Sequence, residues 1–200
     1  MNQANRIGEI IETGTTLFVA ESFALNQPPP LGRLVYVQNG DIQIYGVVCF
    51  GTTTSPDPGR RAVRRSTVGV YDEAIYHEHP QLEHTLHTEF TVRLVGYSQN
   101  GVIYRYLPPT PPPLHFSVLD CHVNQVHVFT EQLTYLRLLL QAVEIPPEQL
   151  IAAHIRQAYQ ARGHDDSWLT GAARLIAGLF KNDYDRLMTV LNGIVPQEGS

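Results

Sequence analysis

From Arg6 onward the chain alternates apolar and polar residues over short stretches: RIGEIIET, TTLFVAES, RLVYVQ, DIQIYGVVCF, TVRLVGYSQ and VIYRYL. A two-residue period puts successive side chains on opposite faces, so each stretch predicts a short strand lying against a core. Turn residues separate the stretches. Gly14 joins the first pair, Asn39-Gly40 the second and Asn100-Gly101 the third. Asn-Gly accepts the positive φ of a type I′ turn, which predicts two tight hairpins. With one more strand in HFSVLD the count is six or seven. Most are linked to their chain neighbours, which suits a small antiparallel barrel better than a parallel sheet. Closing the barrel would also remove exposed edges.

The period changes near residue 125. TEQLTYLRLLLQAVE repeats apolar residues at Leu133, Leu136, Leu140 and Val143; Pro146-Pro147 ends it and opens PPEQLIAAHIRQAYQAR, which Gly163 stops. Asp165 or Asp166 then caps SWLTGAARLIAGLF, and Asn182 or Asp183 opens YDRLMTVLN. One helix is also predicted inside the strand-rich part, in HPQLEHTLHTEF, with Pro80 at its first position and Leu82 and Leu86 as an i, i+4 pair. The class read from the pattern is α+β: an antiparallel barrel of six or seven strands over residues 6–121 with one inserted helix, then a compact helical domain over 125–195.

The segment YLPPTPPPLHFSVLD breaks the pattern, with five prolines in the six positions from Pro108 to Pro113. Proline lacks a backbone N–H, so the run belongs to neither sheet nor helix. It predicts a stiff polyproline strap between sheet-like segments.

Composition narrows the function classes. Hydrophobic residues make up 43% and charged residues 16% of the 200, with a formal charge of −5. So few charges leave neutral or apolar surface and favour an oligomer or a protein partner, while the negative balance disfavours nucleic acid and anionic membranes. Cys49 and Cys121 are the two cysteines, without CxxC spacing, and predict buried thiols in place of disulfides or zinc ligands. No basic-then-apolar leader opens the chain and no apolar run approaches the ~18 residues of a membrane span, so the expected location is cytoplasmic.

Candidate chemistry is sparse. His77, His79, His84 and His87 have a spacing that supplies metal ligands if the helix folds back on its preceding loop, or else form an ordinary surface face. Arg60, Arg61, Arg64 and Arg65 follow the turn Asp57-Pro58-Gly59 and offer contacts to an anion or an acidic partner surface, or a solvated loop. Tyr36, Tyr45, Tyr97, Tyr104 and Tyr106 lie on or beside predicted strands, where a barrel can stack single-stranded bases and where tyrosine is also ordinary filling. Neither a nucleophile elbow, nor HExxH, nor any cofactor motif is written. A non-enzyme with no cofactor is the expectation.

The ordered motifs GEIIETGTTLFVAES, PPPLGRLVYV, IYGVV, DPGRR, EHPQL, TEF, LVGY and YLPPTPPP with LHFSVLDC resemble the HAS-barrel family, named for the HerA helicase and ATP-synthase barrels. The resemblance covers about residues 6 to 121. It implies a six-stranded closed barrel that lines a ring or serves as a docking surface. It also implies that the proline strap leads out of the barrel to the next domain. The larger relatives follow the barrel with a RecA-like ATPase, whose phosphate loop needs lysine followed by Ser or Thr. Here the single lysine, Lys181, precedes Asn182. The ~75 residues after the barrel are also too few for that fold. Motor activity therefore does not carry over. What the resemblance leaves is a stand-alone interaction or assembly barrel that docks on a larger complex or self-associates. The alternatives are a regulatory subunit of a nucleic-acid-processing ATPase carried by another chain and a single-stranded nucleic-acid binder.

Overall fold

The alternating stretches become seven strands. The computed structural model describes residues 5–55 and 62–194. In it β1 (Arg6–Thr13), β2 (Leu17–Ser22), β3 (Leu34–Asn39), β4 (Ile42–Thr54), β5 (His87–Gln99), β6 (Val102–Tyr104) and β7 (Ser117–Asp120) pair antiparallel throughout. Around the ring the order is β1, β7, β3, β4, β5, β2 and back to β1, so six strands close a barrel. β6 is a seventh, short strand on the far end of β5, where Tyr97 faces Tyr104.

Closure needs β4 and β5 to be long and bent. Both span 13 residues, and their register slips between Tyr45 and Gly46 and again between Val48 and Phe50. Such bulges increase local twist and let a flat ladder curl. Gly46 sits at one of them, where an added Cβ would lie 2.3 Å from Val92 Cγ1. Both predicted Asn-Gly hairpins form, in two versions. Asn100 and Gly101 both have positive φ, as a type I′ turn requires. At the other, Asn39 pairs with Ile42, the loop is Gly40-Asp41, and only Gly40 is left-handed.

Ile10, Phe18, Val35, Val37, Ile44, Phe90, Val92 and Val118 fill the barrel interior. A second core lies outside it. Leu34, Tyr45, Val47, Cys49 and Val95 point outward from β3, β4 and β5 into the helices α3 (Val123–Thr130), α4 (Leu136–Leu139), α5 (Pro147–Ala161), α6 (Asp166–Leu179) and α7 (Tyr184–Ile194). This explains why β4 is continuously buried from Ile44 to Cys49 instead of alternating. The helical part therefore covers the flank of its own barrel. The caps read from sequence are in place: Pro147 begins α5, Gly163 follows it with φ +67°, and Asp165 accepts from Trp168 N–H at 3.0 Å. Among the described residues no helix is long and apolar enough to cross a membrane.

Two helical expectations shift. The inserted helix starts earlier and is split into α1 (Glu73–Glu78) and α2 (Leu82–Thr85), while His87–Phe90 belongs to β5. Pairing with both β2 and β4 outweighs the local helical spacing of HTEF. The expected helix over 130–144 forms only at α4, and it is preceded by α3, a helix that the periodicity does not predict.

The proline strap has a different role from the one the resemblance implies. It leads to β7, which lies three strands from β5 in either direction around the ring. The chain must cross the barrel mouth, and Pro108 to Pro113 carry it part of the way over. Pro108 and Pro112 are buried, Leu107 packs on the interior cluster, and Thr13 Oγ1 donates to the Pro112 carbonyl at 2.6 Å. A segment that spans a mouth has no strand to pair with, so residues without N–H groups leave nothing unsatisfied.

Candidate functional site

One flank of the barrel remains uncovered by helices, and the sheet register builds a site there. Arg6 of β1 lies opposite Leu119 of β7, Leu119 opposite Tyr36 of β3, and Tyr36 opposite Tyr45 of β4. Directly opposed residues share a face, so the four side chains form one outward row across four strands. Burial increases along the row, from exposed Arg6 through half-buried Leu119 and Tyr36 to buried Tyr45. Tyr45 stacks against Phe129 of α3 with ring centroids 4.6 Å apart. The row thus runs from solvent into the second core.

The open half of this row is the floor of a groove of about 390 Å³, flanked by Phe116 and by His122 at the start of α3. Phe116 is 38% exposed, a large apolar ring held at the surface. The groove wall is tied by Asn5 Nδ2, which donates to His122 Nε2 at 2.9 Å, and His122 N–H donates to Gln125 Oε1 at 3.0 Å. Burial, with Cys121 adding and Gln125 opposing, pushes the Tyr36 phenol above its ordinary value, so it stays neutral. Of the groove-lining residues only Arg6 carries a fixed charge, and among the described residues it has no carboxylate partner. Nearby carboxylates are engaged elsewhere: Glu9 with His115 at 2.8 Å, and Asp120 with Arg33 through two bonds of 2.8 and 2.5 Å. The arrangement suits holding an apolar side chain beside a negative group.

Beside the groove, several polar contacts cross the seam between barrel and helices. His154 of α5 lies fully buried; its Nδ1–H donates to the Gly32 carbonyl at 2.7 Å, so Nε2 is unprotonated and accepts from the Tyr135 hydroxyl at 2.7 Å. Gly32 has φ +82°, and a Cβ there would lie 2.4 Å from the His154 backbone nitrogen. Burial pushes His154 down to about 4 and Tyr135 well up, keeping both neutral. Arg93 on the outer face of β5 reaches Glu144 at 3.1 Å, and Arg105 donates to the carbonyls of Val128 and Phe129 at the end of α3. Cys49 and Cys121 are both free and buried, as the sequence predicts, and burial pushes the Cys49 thiol up to about 12. It stays a thiol and packs as an apolar group.

The residues singled out from sequence lie elsewhere. His77 and His84 are exposed on α1 and α2, His79 closes α1 with its N–H on Ile75 O, and His87 on β5 contacts Glu21 at 2.6 Å. Among the described residues no three His, Cys, Asp or Glu side chains converge to hold a metal ion. Arg64 and Arg65 are exposed, and Arg60 and Arg61 lie outside the described residues. Tyr97, Tyr104 and Tyr106 do come together, with Tyr97 and Tyr104 stacked at 4.7 Å. The groove escaped sequence reading because its row joins residues 6, 36 and 119. The only local signal is the apolar pair Phe116 and Leu119 after the prolines. No protein-family model matches the chain, and no curated protein matches it.

Proposed function

We propose that this protein is a non-catalytic interaction and assembly module, a HAS-like barrel that docks on a larger complex through the groove between β1, β7 and β3. The observation that supports this most is the unequal treatment of the barrel's outer surface. Leu34, Tyr45, Val47, Cys49 and Val95 on the outer face of β3, β4 and β5 are buried under the helical part, while Leu119, Tyr36 and Phe116 stay accessible in a concave site. Exposed apolar groups in a depression cost stability in a free chain and are matched when a partner covers them. In the seam His154 and Tyr135 are neutral and bonded to each other, and Arg93 is paired with Glu144, which suits a scaffold. The order of motifs over residues 6–121 supports the HAS-like reading, and the closed six-stranded barrel is compatible with it.

Affinity purification from the source cells with wild-type protein and Leu119→Asp in parallel tests the reading. A partner captured by the wild type and lost with the variant, while circular dichroism of the two matches, is the expected result. Identical sets of captured proteins would refute groove docking.

A further inference from the structure

Resting on the interaction reading, we infer that the groove receives a peptide segment of a partner protein that pairs an apolar side chain with a carboxylate, the first over Leu119 and the second on Arg6. Charge complementarity carries the inference. The chain as a whole is acidic, at −5, yet the one fixed charge lining its apolar groove is a guanidinium. Glu9, on the same strand, contacts His115, and Asp120, next to Leu119 in the chain, is paired with Arg33. Asn5 and His122 add polar rim groups, and no acidic residue lines the groove. An incoming carboxylate therefore meets a planar fork of donors without displacing an internal partner.

The register sets the spacing required of the ligand. Arg6 and Leu119 are directly opposed, which places their Cβ atoms roughly 5 Å apart. A peptide matches that separation with an acidic and an apolar residue at i and i+2 of a strand, or at i and i+3 or i+4 of a helix. Consecutive residues of a strand point to opposite faces and do not match.

The test is selection from a random peptide library on the immobilised full chain, followed by titration of a fluorescein-labelled synthetic copy of the strongest sequence. Selected peptides are expected to carry Asp or Glu at one of those spacings from Leu, Ile or Phe. Binding should fall roughly tenfold or more in Arg6→Glu and less in Arg6→Gln, and should weaken with added salt. Selection on Arg6→Glu should favour Lys or Arg at the same spacing. Arg6 is exposed, so these variants keep the fold, which circular dichroism verifies. Peptides without acidic bias, or a labelled peptide indifferent to Arg6→Glu, would overturn the inference. If that indifferent peptide is still lost in Leu119→Asp, groove docking survives and only the acidic ligand class fails. Indifference to both variants sinks both readings. A single-stranded oligonucleotide that displaces the peptide and itself depends on Arg6 would also overturn it, in favour of nucleic acid.

Discussion

His154 shows how one buried side chain ties the two parts of this protein together. Its ring is held between a carbonyl of the β2–β3 connection and a hydroxyl from the segment before α4; the carbonyl would accept from an imidazolium as well, but complete burial opposes the charge, and Nε2 could no longer accept from Tyr135. The folded group takes a proton only near pH 4, whereas an unfolded histidine does so near 6.5. Between those values the unfolded chain binds more protons, so stability falls as pH falls from about 6.5 and the loss levels off below about 4. Its size is on the order of 3 kcal/mol for this residue. Urea unfolding at about pH 7 and about pH 4.5 should show a smaller loss in the double variant His154→Leu/Tyr135→Phe than in the wild type; equal losses would assign the acid sensitivity to other groups. Nothing in the sequence around AAHIRQ distinguishes this histidine from the exposed His77 or His84. Its environment comes from Gly32, more than a hundred residues away.

At the scale of elements, local signals are reliable where the local interaction is the decisive one. Asp165 capping α6, Pro147 opening α5 and Asn100-Gly101 closing a hairpin all act within a few residues and are readable. HTEF is strand because two neighbouring strands claim its backbone, and α3 is helix although valine-rich because Val126 and Phe129 gain burial on the barrel flank. The proline strap stands between these cases. Its conformation follows from composition, but its path over the barrel mouth follows from where β7 inserts. The prolines stabilise that crossing by limiting the unfolded chain, so Pro109→Ala with Pro111→Ala should lower unfolding free energy by about 1–2 kcal/mol. Thermal or urea denaturation reads this directly, and an unchanged midpoint would mean the strap carries no such stabilisation.

For the whole molecule, the change of texture near residue 125 separates strands from helices, while the second core crosses it. Leu34, Tyr45, Val47, Cys49 and Val95 belong to the barrel's walls and are buried only because the helices lie on them. A chain ending after Asp120 should therefore expose that face and aggregate or stay unfolded. A dispersed NMR spectrum from a monomeric fragment would contradict this. The same covering decides which flank stays open, and so where the candidate groove lies.

The sequence by itself determined the strand count, the turns, most helix caps and the α+β class, because two-residue and 3.6-residue periods and the conformational limits of Gly, Pro and Asn act over a few neighbours. Tertiary structure alone decided ring closure, the route of the strap, the neutral state of His154 and the row Arg6–Leu119–Tyr36. Each of these depends on residues far apart in the chain meeting at a fixed register, and pairing energy between distant strands leaves no trace in any one stretch of sequence.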